Sequence, residues 1–269
     1  MLNKIRSRFR ADGLSGVARA VLRRLVRRKP VRHPVEAALA AVTARPGFTI
    51  VQLGAFTGRT ENDPLYEALS RRLRVVEGTL LLVEPVDAYF QELVRNYQSL
   101  PGARFENAAV AEKDGEASIY RLAVDPVAHS YPEWLAQLSS LKEERIGPLW
   151  DRYEQNPDYK KFYLEHRIKE TVRCLTFQSL LERHALGRVD LLQMDVEGYE
   201  LEILRTINFQ AAGIRFVNFE SVLLQDRKPE AERLMHGQGY ELIDFGQDTF
   251  CFLPGDRWVA RNHRISSAP

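Results

Sequence analysis

The chain has 269 residues, of which 45% are apolar and 28% charged, with a formal net charge of +2. This is the composition of a globular α/β-sized domain and not of a disordered, collagenous or membrane-embedded chain. The two cysteines, Cys174 and Cys251, are far apart and supply neither a disulfide framework nor a zinc motif, so a reducing, cytoplasmic setting is expected. The small net charge hides an asymmetry. Residues 1–32 hold eleven Lys or Arg and one acid, a charge of +10, which leaves −8 for the remainder.

Within residues 1–34, Leu14, Val17, Ala18, Val21, Leu22 and Leu25 recur at helical spacing, with arginines on the other faces. The apolar residues never run long enough for a secretory h-region or a membrane span. A basic amphipathic helix of this kind could lie peripherally on an anionic membrane surface, or pack its apolar stripe on its own domain. A single aromatic, Phe9, stands among the arginines, too few for successive bases to stack on, so no nucleic-acid partner is expected. Pro30 and Pro34 mark a linker, and residues 35–43 read as a short helix.

The domain proper is expected over residues 35–259, followed by a tail at 260–269. Phe48–Leu53 reads as a buried strand running into Gly54-Ala55-Phe56-Thr57-Gly58. A helix with Leu65, Leu69 and Leu73 on one face follows. Gly54 and Gly58 let the backbone turn tightly and approach a ligand. The pattern is neither the G-x-G-x-x-G dinucleotide fingerprint nor a P-loop. Thr79–Val83 reads as the next strand, ending in Glu84-Pro85. An acid at the tip of this strand is placed to accept hydrogen bonds from ribose hydroxyls. Asp87–Ser99 reads as a helix and Phe105–Val110 as a third strand. Asn107 and Ala108 then fall where an adenine ring would lie. Ala117–Leu122 is a further strand.

Residues 123–170 are rich in aromatics and include His129 and His166, more chain than a plain crossover needs. They read as an inserted cap, whose aromatics could face a sugar or polycyclic acceptor, form the insertion's own core, or make a dimer contact. Thr171–Leu175 returns as a strand, and Thr176 can cap the helix 177–184. The chain is organised around the next stretch, RVDLLQMDVEGYELEIL (188–204). It reads as a strand ending in Asp195, Glu197 and Gly198, then a helix with Leu201, Ile203 and Leu204 on one side and Glu200 and Glu202 on the other. Open α/β sheets bind ligands at such carboxyl ends. Arg215–Phe219 is a strand ending in Glu220, Pro229–Gly239 a helix, and 240–245 with 249–253 a closing hairpin.

The segments VQLGAFTG (51–58), LLLVEP (80–85), NAAVAEKDGEASIY (107–120), LTFQSLL (175–181), DLLQMDVEGYELEIL (190–204) and FVNFES (216–221) together resemble the FkbM-type methyltransferases, a branch of the class I S-adenosylmethionine-dependent enzymes. The resemblance covers roughly residues 48–252. It implies a Rossmann-like sheet of seven strands, mostly parallel with the last antiparallel, and methyl transfer from S-adenosyl-L-methionine, usually to an oxygen. By motif, Gly54, Ala55, Phe56 and Gly58 would hold the cofactor's methionine part, Glu84 and Pro85 its ribose side, and Asn107 with Ala108 its adenine, while Asp195 and Glu197 would lie by the methyl group. Two positions depart from the family's pattern. Gln52 stands where an acid is common, keeping a hydrogen-bonding carbonyl but not the charge, and Phe56 stands where asparagine is common.

A hydroxyl acceptor needs a positioned base. Asp195 is the first candidate, with Glu197, Glu220 and His129 next and His166 also considered. A divalent ion held by Asp195 and a neighbouring acid could activate the hydroxyl instead, although no metal ligands are assigned. The expected activity is O-methylation of a glycan, glycolipid or secondary metabolite, by a chain that could be homo-oligomeric. The alternative is a methyltransferase fold kept as a non-catalytic binding or scaffold protein.

Overall fold

The computed structural model describes residues 33–59, 65, 69, 77–144 and 157–257. The expected basic helix over residues 1–32, the tail 260–269, Leu73, and Trp150 and Tyr153 of the insertion lie outside the described residues. Among the described residues no helix is long and apolar enough to cross a membrane.

The inner strands of the central sheet are built from runs that are largely apolar on both faces, as strands covered by helices on each side must be, while the two edge strands are more polar and partly exposed. Its members are β1 (Phe48–Leu53), β2 (Gly78–Val83), β3 (Ala103–Glu106), β7 (Leu191–Met194), β8 (Phe216–Glu220), β9 (Glu241–Phe245) and β10 (Asp248–Phe252). The order is β3-β2-β1-β7-β8-β10-β9. β1, β2, β3, β7 and β8 run parallel, and β10 is antiparallel to both its neighbours. The strand order reverses at β1, between β2 and β7, and the carboxyl ends on either side of that point open a crevice.

Alternation along the strands divides the core. Val51, Leu53, Leu81, Val83, Leu192, Met194, Val217 and Phe219 face one layer of helices. That layer comprises α4 (Phe177–Arg183), α5 (Glu200–Thr206), α6 (Phe209–Ala212) and α7 (Lys228–Gly237). Phe48, Ile50, Leu80, Leu82, Leu191, Phe216 and Phe250 face the other. There α1 (Pro34–Val42), the buried helical residues Leu65 and Leu69, and α2 (Asp87–Tyr97) cover the sheet. Thr176 caps α4 as its sequence suggests, its Oγ1 accepting from Ser179 N at 3.0 Å.

The run Phe105–Val110 is not one strand. β3 ends at Glu106, and Ala109–Val110 form β4 in a separate three-stranded sheet, β4-β6-β5. The break falls where Asn107 turns its amide onto the carbonyls of Glu84 (2.9 Å) and Pro85 (3.2 Å), tying the tip of β2. β5 (Gly115–Leu122) and β6 (Arg167–Leu175) form a long antiparallel pair that carries the insertion between them. Since β6 begins at Arg167, the insertion proper ends at His166, where α3 (Pro157–His166) ends.

The turn after β1 is held by missing side chains. At Gly54 (φ +73°) an added Cβ would overlap the carbonyl oxygen of Asp195 across the β1–β7 pair, and at Gly58 (φ +70°) it would overlap the Tyr97 ring. Gly47 has a similar φ of +78° but nothing near its Cβ position. Gly54→Ala should therefore lose about 2–5 kcal/mol of stability, from left-handed backbone plus overpacking. Gly47→Ala should lose only about 1 kcal/mol, from backbone alone. Denaturant melts of both variants check this, and equal losses would show that the Asp195 contact relaxes freely.

Candidate active site

A cavity of about 310 Å³ opens at the carboxyl ends of β1, β2 and β7. The glycine turn makes its floor. Gly54 N and Ala55 N both donate to Val83 O, at 3.1 and 3.0 Å, so the ends of β1 and β2 are drawn together. Beyond them Phe56 adopts φ +46° and packs its ring on Tyr89, centroids 4.4 Å apart. Glu84 is 3% exposed and accepts from Phe56 N and Val86 N, each at 2.9 Å, one on each oxygen. A carboxylate has about four acceptor positions. Two backbone donors therefore leave it capacity for a diol. Burial raises its pKa to about 7 despite those two bonds.

The acids of the central stretch converge from the other side. Asp195 is exposed, while Glu197 and Glu220 are partly buried, and all three line the cavity. Glu197 sits in left-handed backbone (φ +53°), a conformation that costs a non-glycine residue about 1–3 kcal/mol. Its pKa is pushed well up by desolvation and then by the charges of Asp195 and Glu200. Glu220 is raised in the same way, by desolvation and then by Asp195, Glu197, Glu200 and Asp248.

Glu200 and Glu202 do not point to solvent as helical spacing suggests. Both are buried, at 0% and 5% exposure. α5 is short and enclosed on both sides, so its polar face has become part of the interior. Glu200 Oε1 reaches back to Val196 N (3.0 Å) and Gly198 N (3.4 Å), closing the turn that carries Glu197. Desolvation raises the Glu200 pKa to about 8. Glu202 meets Lys142 Nζ (3.2 Å) and Arg227 Nη1 (2.9 Å), and Arg227 Nη2 also donates to Gly198 O at 2.9 Å.

A row of buried amides crosses the sheet beside these acids. Gln52, Gln193 and Asn218 are in register on β1, β7 and β8. Asn218 Nδ2 donates to Gln193 Oε1 (3.0 Å) and to Asp248 Oδ2 (2.8 Å). His33 Nε2 meets the same Asp248 oxygen at 3.0 Å while its Nδ1 accepts from Val35 N at 3.2 Å, so the Nε2–H tautomer donates to Asp248. Gln52, Gln193, Asp248 and His33 all line the cavity.

The structure thus brings Gln52, Gly54, Ala55, Phe56, Glu84, Pro85, Ala108, Asp195, Glu197 and Glu220 to one cavity. Gly58 and Asn107 stand outside its lining and hold its frame. Tyr97 Oη donates to Gly58 O at 3.0 Å, and the Asn107 amide is engaged with backbone. His129 is exposed on the insertion, its ring 5.6 Å from that of His166, and does not line the cavity. His33, Gln193, Glu200, Asn218 and Asp248 were not singled out by sequence. A usable signal was present: Gln52, Gln193 and Asn218 each interrupt an apolar strand next to its penultimate or last apolar residue.

The described aromatics of the insertion form its own core. Tyr131 stacks on Phe162 at 4.0 Å, Trp134 meets Tyr159 edge-on at 5.8 Å, and Leu135, Leu138 and Tyr163 are buried with them against Leu223. The insertion lends the cavity Gln137, Ser139 and Leu141 instead.

The strand order, the single antiparallel strand, the glycine turn after β1 and the acids at the ends of β2 and β7 define the class I methyltransferase fold. The sequence model described as the methyltransferase FkbM domain matches residues 52–242, and the chain belongs to that family. It is a methyltransferase, of a family that depends on S-adenosylmethionine. No curated protein matches it. Solved structures similar in fold include a precorrin-6Y C5,15-methyltransferase from Geobacter metallireducens, with 11% identity, 83% of this chain and 90% of that one covered, and a TM-score of 0.39. Another is Aeropyrum pernix fibrillarin with natively bound S-adenosyl-L-methionine, with 14% identity, 80% and 72% covered, and a TM-score of 0.37.

The raised carboxyls link folding to pH. Glu84 and Glu200 hold their protons in the fold up to about pH 7 and about pH 8, whereas the unfolded chain releases them near 4.5. In that window the native state binds more protons, so stability falls as pH rises. At about 1.4 kcal/mol per pH unit, Glu84 alone accounts for about 3 kcal/mol. In metal-free buffer, Glu84→Gln and Glu200→Gln should each flatten the decline of Tm between about pH 5 and about pH 8. A decline as steep as wild type in both variants would show that neither carboxyl is responsible.

Proposed function

We propose that the chain is an O-methyltransferase that uses S-adenosyl-L-methionine and acts on a hydroxyl of a glycan, glycolipid or secondary metabolite. The observation that carries this reading is one cavity holding both a close backbone approach at Gly54 with the diol-accepting Glu84 and, a few side chains away, the acids Asp195, Glu197 and Glu220. The residues fit the cofactor. Gly54, Ala55 and Phe56 offer backbone where a Cβ at position 54 would intrude. Glu84 has acceptor capacity beyond its two backbone donors. The acids give a negative surface suited to a sulfonium.

The cofactor supplies an already activated methyl group, so the protein's task is chiefly placement. Asp195 is the most exposed acid of the cluster and is the base that takes the proton from the acceptor oxygen. Glu197 and Glu220, both raised by desolvation and by Asp195, stand beside it and line the same cavity. Gln137, Ser139 and Gln247 add hydrogen-bonding groups to the lining, which suits a polyhydroxylated acceptor more than a flat apolar one. The basic segment 1–32 suits an acceptor carried on an anionic membrane surface.

Calorimetric titration with S-adenosylhomocysteine should give micromolar binding that Glu84→Ala weakens at least tenfold. Asp195→Asn should lower methyl transfer to a glycan panel about 10²–10⁴-fold with binding of S-adenosylhomocysteine nearly unchanged. Intact turnover in Asp195→Asn would remove Asp195 as base. Cofactor binding without methylation of any acceptor would favour the scaffold reading.

A further inference from the structure

We infer that Asp195, Glu200 and Glu220 form a binding site for one hard divalent cation, Mg²⁺ or Mn²⁺, at the adjoining carboxyl ends of β7 and β8. One carboxylate oxygen from each residue lies within 4.8 Å of the other two. Neighbouring ligands of an octahedral Mg²⁺ shell are about 3 Å apart and opposite ones about 4.0–4.2 Å, so rotation of the Asp195 and Glu220 side chains toward Glu200 closes the three oxygens on one ion. All three ligands are carboxylates, the chemistry that selects Mg²⁺, Mn²⁺ or Ca²⁺ over softer metals.

The cluster is more than acids in proximity. Glu200 is completely buried, and its Oε2 has no hydrogen-bond partner among the described residues. Its other oxygen is fixed by Val196 N and Gly198 N, so the side chain is pinned, and a Glu200 carboxylate oxygen lies in the cluster with those of Asp195 and Glu220. Glu220 Oε2 is likewise buried without a donor. Leaving such an acceptor unsatisfied costs about 1–3 kcal/mol, and more if it is charged. Neighbouring basic side chains are engaged elsewhere: Arg227 and Lys142 with Glu202, and His33 with Asp248. Among the described residues neither Glu200 nor Glu220 forms an ion pair with a basic side chain. A divalent cation would neutralise these acids and use both orphaned oxygens at once.

Asp195 and Glu220 line the cavity, so open coordination positions would face it. An ion there lowers the pKa of a coordinated hydroxyl. That role rests on the methyl-transfer reading, but the existence of the site does not.

The test is a Mn²⁺ titration of the full chain after EDTA treatment, following the electron paramagnetic resonance signal of the free ion without cofactor. One site per chain is expected, with Mg²⁺ competing. Glu200→Gln and Glu220→Gln should each weaken it at least tenfold, while Glu182→Gln on exposed α4 surface leaves it unchanged. Circular dichroism of each variant reports whether it is folded. Should Glu200→Gln fail to fold, Glu220→Gln and Asp195→Asn carry the test. No site in wild type, or equal affinity in the folded variants, would overturn the proposal. So would loss of the Mn²⁺ site on adding S-adenosylmethionine but not S-adenosylhomocysteine, which would assign the acids to the sulfonium. Mn²⁺ binding without any S-adenosylhomocysteine binding would leave the site standing and remove the functional reading instead.

Discussion

Everything in the cavity depends on how closely β1 approaches β7. The pair is held at both ends: Asp190 Oδ2 accepts from Thr49 N at 2.9 Å and Asp190 N donates to Thr49 O at 2.7 Å, while Asp195 N donates to Leu53 O at 3.0 Å. At the upper end the approach is possible only because position 54 has no Cβ. The Asp195 backbone is thereby fixed against the glycine turn. The same turn gives its next amides to Val83 and Glu84. One steric allowance joins three strand ends and sets the spacing between Glu84 and the acids beyond β7.

That spacing gathers more negative charge than a half-buried site tolerates without compensation. Asp195, Glu197, Glu220 and Asp248 line one cavity, with Glu200 close behind. Like charges in low dielectric raise one another's pKa. A neutral residue at position 52 fits this arrangement. Gln52 extends the amide row through Gln193 and Asn218 toward Asp248, where polar hydrogens offset the acids without adding a charge. An acid at 52 would place another carboxylate beside Gln193 and within the field of Asp195. The departure from the family's pattern is therefore consistent with a site whose negative charge is concentrated at the ends of β7 and β8.

The sheet was legible because its inner strands are buried on both faces and so stand out as apolar runs; β1 has the bounds its sequence suggests, and the others differ by a few residues. The glycine turn and the strand-end acids were legible from residue type and position. What could not be read was neighbourhood across the sheet. The amide row joins residues 52, 193 and 218, and only strand order places them side by side. Glu200 and Glu202 depart from the amphipathic reading because that spacing assumes that one helix face meets water, whereas α5 is buried all round over residues 200–204 and meets water only at its end, at Arg205 and Thr206. The run Phe105–Val110 was misread because two short strands of different sheets, joined at Asn107, have the composition of one.

The insertion separates stability from recognition. Its described aromatics are occupied with one another and with Leu223, so they set the rigidity of the wall and not the chemistry it presents. The wall is fastened to β5 by paired backbone bonds between Tyr120 and Ser140, at 2.9 and 3.0 Å. That bridge places Gln137, Ser139 and Leu141 at the cavity, while Leu135 and Leu138 of the same stretch stay in the aromatic core. Residues that line the cavity are thus interleaved with residues that anchor them. Changes at 137, 139 and 141 would alter the polar lining while leaving the buried contacts of Leu135, Leu138 and Phe162 in place. One wall of the cavity is thus fixed by backbone geometry at the glycine turn, and the opposite lining includes three side chains that can change without rebuilding the core.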